Sequence, residues 1–168
     1  MKIALYIAFQ NKSSIDCCTE IIDLISENNQ LIIDSKVKND LDESKRDNFI
    51  FFDSNEQIDS DIDFVFAVGG DGTILRSITY VKDSNIPILG VNTGRLGFLT
   101  SIQKESISDA ISHIKNKQYT VIERTVLKVN LGSTNNTFAD YPYALNEITI
   151  QRKDTTCLLY TSPSPRDP

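Results

Sequence analysis

The sequence predicts an α/β domain, with a doubly wound, mostly parallel sheet, followed by the incomplete start of an all-β domain. Three observations carry this. Short apolar runs of strand length alternate with stretches whose apolar residues recur at helical spacing. One of these runs stops at a glycine-rich turn, Gly69-Gly70-Asp71-Gly72-Thr73. Near residue 120 the helical spacing gives way to alternation of apolar and polar residues. The expected division is an α/β domain carrying that turn over residues 1–118, the beginning of a truncated β-rich domain over 119–156, and a tail of different character over 157–168.

The elements follow in order. Residues 2–8 form an apolar run that reads as a buried strand. Ser13 or Ser14 then opens a helix, with Asp16 completing a capping box, and Ile15, Cys18, Ile22 and Ile25 supply its apolar face. Between Lys38 and Asn48 seven of eleven residues are charged, which reads as a solvated loop, and residues 49–52 suit a short strand. The continuous apolar run at 64–68 is typical of a central parallel strand covered on both faces. After the glycine-rich turn comes a helix with Ile74, Leu75, Ile78 and Val81 on one side, then a short buried strand at 88–91. A third helix starts at a capping box, Ser106 with Asp109, and buries Ile107, Ala110, Ile111 and Ile114. Beyond it, Leu127, Val129 and Leu131 alternate, residues 132–136 read as a turn, and 143–151 form a second extended run.

Composition narrows the function. With 40% apolar and 24% charged residues the 168-residue chain has a globular balance. Its net charge of −6 argues against affinity built on nucleic-acid phosphates or an anionic membrane. No apolar run approaches the ~18 residues of a membrane-spanning helix, and the N-terminal run is too short for a signal peptide. Cys17, Cys18 and Cys157 form neither a metal-ligand nor a disulfide pattern, which suits a reducing, cytoplasmic setting.

The tail stands apart. Residues 157–167 lack any helical or strand period, and the Ser-Pro-Ser-Pro run within them ends any strand. They resemble the in-frame translation of a sequencing adapter, so the expectation is 156 native residues followed by twelve foreign ones, with the native reading frame broken near Thr156.

The chemistry concentrates at residues 69–73, where an open α/β sheet places its ligands: the carboxyl end of a strand and the start of a helix. Glycines let backbone approach a phosphate, and the free N–H groups and dipole of the helix start favour anions. Thr73 is suited to cap the helix. Asp71 sets a carboxylate beside that anion site, able to accept a hydroxyl proton or to hold a metal ion. The plain alternative is a strand-to-helix turn in which Asp71 only caps. No Gly-Lys-Ser/Thr of a Walker A loop exists in the chain, and Leu75 stands where the third glycine of a dinucleotide fingerprint belongs.

This turn resembles the signature of the NAD kinase and diacylglycerol kinase superfamily. Two further stretches resemble bacterial NAD kinases: Asn92-Thr-Gly-Arg-Leu-Gly-Phe-Leu99 after a strand, and Ala144-Leu-Asn-Glu-Ile-Thr-Ile150 with its Asn-Glu pair. The likeness covers residues 1–156. It implies ATP-dependent phosphorylation of the 2′-hydroxyl on the adenosine ribose of NAD, with Mg²⁺ or another divalent ion, in a cytoplasmic enzyme that is a homo-oligomer when full length. Its partners are then NAD and ATP, with no nucleic acid and no membrane. By the same resemblance Asp71 accepts the hydroxyl proton, Gly72 approaches the dinucleotide, Arg76 contacts phosphate, Phe98 lies against the adenine, and Asn146 and Glu147 bind ribose and phosphate-side groups of NAD. No residue is assigned as a metal ligand. A lipid kinase of the diacylglycerol kinase type, or an inactive nucleotide-binding fragment, is the alternative.

The family's later glycine-rich segment has no match here. Residues 132–134 have a similar composition but precede the Asn-Glu pair. Arg95, Arg124 and His113 read as surface groups, and Asp59, Asp61 and Asp63 as solvated aspartates ahead of a strand.

Overall fold

A computed structural model describes residues 1–25, 29–53, 58, 61–94, 97–130 and 141–149. Strand β1 (Lys2–Tyr6) leads to helix α1 (Lys12–Ile25) and then to β2 (Gln30–Asp34). A 3-10 turn (Ser35–Asp40) and the short α2 (Glu43–Arg46) precede β3 (Ile50–Phe52) and the central β4 (Phe64–Gly69). Helix α3 (Asp71–Val81), β5 (Ile88–Asn92), the two-residue β6 (Ile102–Gln103) and α4 (Ile107–Lys115) complete the α/β part.

The six strands form one sheet in the order β3-β2-β1-β4-β5-β6, and every neighbouring pair is parallel. The chain winds outward from β1 to β3, crosses back, and continues from β4 to β6. The order therefore reverses between β1 and β4, the topological switch point at which such sheets bind ligands. In β4 all six residues are buried, as its unbroken apolar run requires.

Alternation along the strands divides the core in two. Ile3, Leu5, Phe66 and Val68 face Ile15, Cys18, Ile22 and Ile25 of α1 together with Ile107, Ile111 and Ile114 of α4. Ala4, Tyr6, Val65 and Ala67 face Ile74 and Val81 of α3. The helical faces read from spacing thus lie on the core, except that Leu75, Ile78 and Ala110 are only half-buried.

Several local details differ from expectation. The cap of α1 is Asn11, whose Oδ1 accepts the Ser14 amide at 3.0 Å, while Ser13 Oγ donates instead to the Thr93 carbonyl at 2.8 Å. Ser106 precedes α4 but makes no side-chain cap bond. The charged stretch is coiled rather than looped. Val37 and Leu41 anchor it in the core, and Arg46 donates to the carbonyls of Leu41 and Asn39 at 2.8 and 2.9 Å. Strands β2 and β6 were not expected from the spacing. In β2 the apolar core is only three residues long, and β6 is half-buried with no readable period.

Past α4, β7 (Leu127–Lys128) and β8 (Tyr143–Ala144) make a two-stranded antiparallel ladder, extended by the Val129 amide donating to the Pro142 carbonyl at 2.8 Å. These strands are shorter than the runs read from sequence. Leu131, the turn at 132–136 and the tail at 157–168, with Cys157, lie outside the described residues. Among the described residues no helix is long and apolar enough to cross a membrane.

Candidate active site

The site is built where β4 ends at the switch point. Gly69 closes the strand with φ of 154°, and a Cβ there would stand 2.2 Å from Thr73 Oγ1. Thr73 is buried against that backbone, so it fills the first turn from inside and does not cap; Gly70 is the cap residue, its carbonyl accepting the Thr73 amide at 2.9 Å. On the outer side of the turn the situation is opposite. A Cβ on Gly70 or Gly72 would meet no neighbour, so the backbone there borders open space that an anion can approach.

Asp71 is the first residue of α3, and its carboxylate is fully engaged on one side. The Phe98 amide donates to Oδ2 at 2.7 Å, and the Leu99 and Thr100 amides donate to Oδ1 at 2.9 and 3.2 Å. Gly97 lies against the same group: a Cβ there would come within 2.2 Å of Oδ1. A carboxylate offers about four acceptor directions, so one on Oδ2 remains. Desolvation raises the Asp71 pKa, but the three amides outweigh it and hold the carboxyl below its ordinary value.

Residues 93–94 and 97–100 are held from the end of β5. Buried Asn92 accepts the Gly94 amide at 2.8 Å on Oδ1 and donates from Nδ2 to Thr100 Oγ1 at 3.1 Å. The Thr93 amide donates to the Gly69 carbonyl at 3.2 Å, and Ser13 reaches the Thr93 carbonyl from α1. The turns after β4 and β5 and the start of α1 are thereby joined at the carboxyl end of the sheet.

The residues singled out from sequence do not all meet here. Asp71, Gly72 and Arg76 share the first turns of α3, with Gly72 and Arg76 exposed. Phe98 is beside Asp71 through its backbone, and its ring is 97% exposed. Asn146 and Glu147 follow β8, both exposed and outside any strand, and no hydrogen bond ties them to the glycine-rich turn among the described residues. Gly97 and the amides of 98–100 were not picked out as partners of Asp71, nor Asn92 as the support of their segment. Their segment was legible as a motif, but a contact 27–29 residues away leaves no periodic signal.

His113 is exposed on α4 with Nδ1 2.7 Å from the Asp109 carbonyl. Asp63 accepts the Lys2 amide at 2.8 Å. Arg124 is exposed, and Arg95 and Asp59 lie outside the described residues. Among the described residues no group of three or more His, Cys, Asp or Glu is placed to hold a metal ion. With three of its acceptor directions taken, Asp71 does not make a protein cage for one either. The donor set fits an ion that arrives on substrate phosphates, the usual manner of Mg²⁺.

A parallel sheet of this order with helices on both faces belongs to the doubly wound α/β class, which places its ligands at the switch point. Residues 11–119 match the ATP-NAD kinase N-terminal domain, and the chain belongs to the ATP-NAD kinase family. It is 36% identical over 162 residues to an NAD kinase of Flavobacterium johnsoniae and 38% identical over 162 residues to one of Flavobacterium psychrophilum, in each case covering 95% of this chain and 55% of the relative. An NAD kinase of Bacteroides fragilis is 41% identical over 108 residues, 64% of this chain and 36% of the relative. The chain thus spans about half the length of the curated relatives it matches. Among solved structures, yeast NADH kinase complexed with NADH has the same fold, with a TM-score of 0.68 at 19% identity over 80% of this chain and 43% of that one. The family match does not favour the diacylglycerol kinase alternative.

Proposed function

We propose that this chain carries the N-terminal half of an enzyme that transfers the γ-phosphoryl group of ATP to the 2′-hydroxyl of the adenosine ribose of NAD, giving NADP. The observation that carries the reading is Asp71, held by three amides at the switch point beside an open glycine-rich turn. Family membership supports the choice of NAD.

Phosphoryl transfer asks a protein for positioning and charge neutralisation more than for covalent chemistry. Asp71 takes the proton of the attacking hydroxyl through the free direction on Oδ2. Its lowered basicity suits a role that orients the hydroxyl first and accepts the proton late. Gly72 lets the dinucleotide approach, Arg76 contacts phosphate, and the exposed Phe98 ring lies against the adenine. Asn146 and Glu147 bind ribose and phosphate-side groups of NAD from the β-rich part, which begins near residue 119. A divalent ion such as Mg²⁺, bound with ATP, supplies neutralisation of the phosphate charge. The same reading makes the full-length enzyme a cytoplasmic homo-oligomer that acts on neither nucleic acid nor membrane.

The test is NADP formation from NAD, ATP and Mg²⁺, followed with an NADP-specific dehydrogenase. It is run on this chain and on a version extended to the length of its relatives. NADP from the extended protein is the expected result; phosphorylation of diacylglycerol without NADP formation would refute the reading.

A further inference from the structure

The mouth of the β1/β4 crevice holds one contact that the family resemblance does not use. Phe9 follows β1 and is 59% exposed, and it belongs to neither buried cluster of the core. Its ring nonetheless has a partner: the Arg76 guanidinium stands over it, Cζ lying 4.6 Å from the centroid. Arg76 projects from the exposed side of α3, one turn beyond Asp71, and has no carboxylate partner among the described residues. Gly70 and Gly72, which flank Asp71 in the chain, have an open outer side.

A free arginine side chain samples many rotamers and forfeits that freedom when it binds an anion. An aromatic face beneath the guanidinium restricts it in advance. A planar guanidinium can rest on a ring and still present its edge N–H donors to phosphate, which a lysine ammonium cannot do in the same way.

We propose that Phe9 is a positioning residue whose ring holds the Arg76 guanidinium at the mouth of the crevice, set to receive a phosphate of the bound nucleotide. The inference rests on the reading of Arg76 as a phosphate contact. It assigns a function to an exposed aromatic side chain that packing leaves unexplained.

The test is calorimetric titration of the chain with ATP and, separately, with inorganic tripolyphosphate, which has the phosphates without the nucleoside. Phe9→Leu is expected to weaken both affinities about two- to fivefold with an unchanged melting temperature, and Phe9→Trp to restore them. Arg76→Ala is expected to weaken binding further and to make Phe9→Leu silent in the double variant. Parent-like binding by Phe9→Leu, equal losses in Phe9→Leu and Phe9→Trp, additive losses in the double variant, or no tripolyphosphate binding at all would each overturn the proposal. The kinase reading fails separately: an extended protein that forms no NADP, while tripolyphosphate binding still requires Phe9 and Arg76, refutes that reading and leaves this one standing.

Discussion

The backbone amide of Phe98 donates to Asp71 Oδ2 at 2.7 Å, so the candidate proton acceptor is also the latch that holds residues 97–100 against the start of α3. The Leu99 and Thr100 amides complete the latch on Oδ1. On the proposed reading one carboxylate both holds this segment and meets the substrate hydroxyl, so a change in the segment is expected to alter the chemistry.

Gly97 tests this link without touching Asp71 itself. A methyl group there would overlap Asp71 Oδ1 at 2.2 Å, so Gly97→Ala must push the carboxylate or the segment aside. Overpacking of this kind costs about 1–3 kcal/mol. The expected result is a lower melting temperature together with weakened nucleotide binding by titration calorimetry. A variant that melts and binds like the parent would show that residues 97–100 do not rest on Asp71.

The same hydrogen bonds set a pH dependence. The Asp71 pKa is lowered in the folded chain, so its contribution to stability is present above the ordinary carboxylate value of about 3.9 and is lost as pH falls through the lower folded value. In a ¹³C titration the Asp71 carboxyl carbon is expected to change below pH ~3.9. The acid limb of activity assigned to this group is expected at correspondingly low pH. A midpoint above the ordinary value would mean that the three amides do not hold the carboxylate.

Cys17 and Cys18 lie on the buried face of α1. Desolvation pushes the Cys17 thiol up to about 12 and Cys18 well above its ordinary value. Neither forms appreciable thiolate near neutral pH. In the native chain at pH 8, iodoacetamide is expected to leave the peptide containing both unmodified, whereas unfolding in guanidinium exposes both. Rapid native alkylation, read by mass spectrometry, would contradict the packing of α1 on the sheet.

Much of the α/β part was legible in the sequence, and the reasons are particular. The run at 64–68 reads as a central strand because both of its faces are covered, and Ile15, Cys18, Ile22 and Ile25 read as a helix face because they pack on one side of the sheet. What escaped was short or non-local. Strands β2 and β6 carry too little pattern, and the coil over 35–46 is held by Val37, Leu41 and the backbone contacts of Arg46 rather than by an apolar period. Asp71 stood out by residue type and position, and Arg76 through the family resemblance. Gly97, Asn92 and Phe9 did not, because each acts through a partner 8 to 67 residues away that only the fold brings near.

The most direct measurement is steady-state NADP formation by the extended protein and its Asp71→Asn variant, each with its melting temperature. Asparagine keeps the shape but loses the proton acceptor and, with its amide nitrogen, at least one acceptor for the 98–100 amides. A turnover loss of about 10²- to 10⁴-fold is expected, with destabilisation of no more than about 1–3 kcal/mol. Undiminished NADP formation in a folded Asp71→Asn protein would contradict the central role given to Asp71.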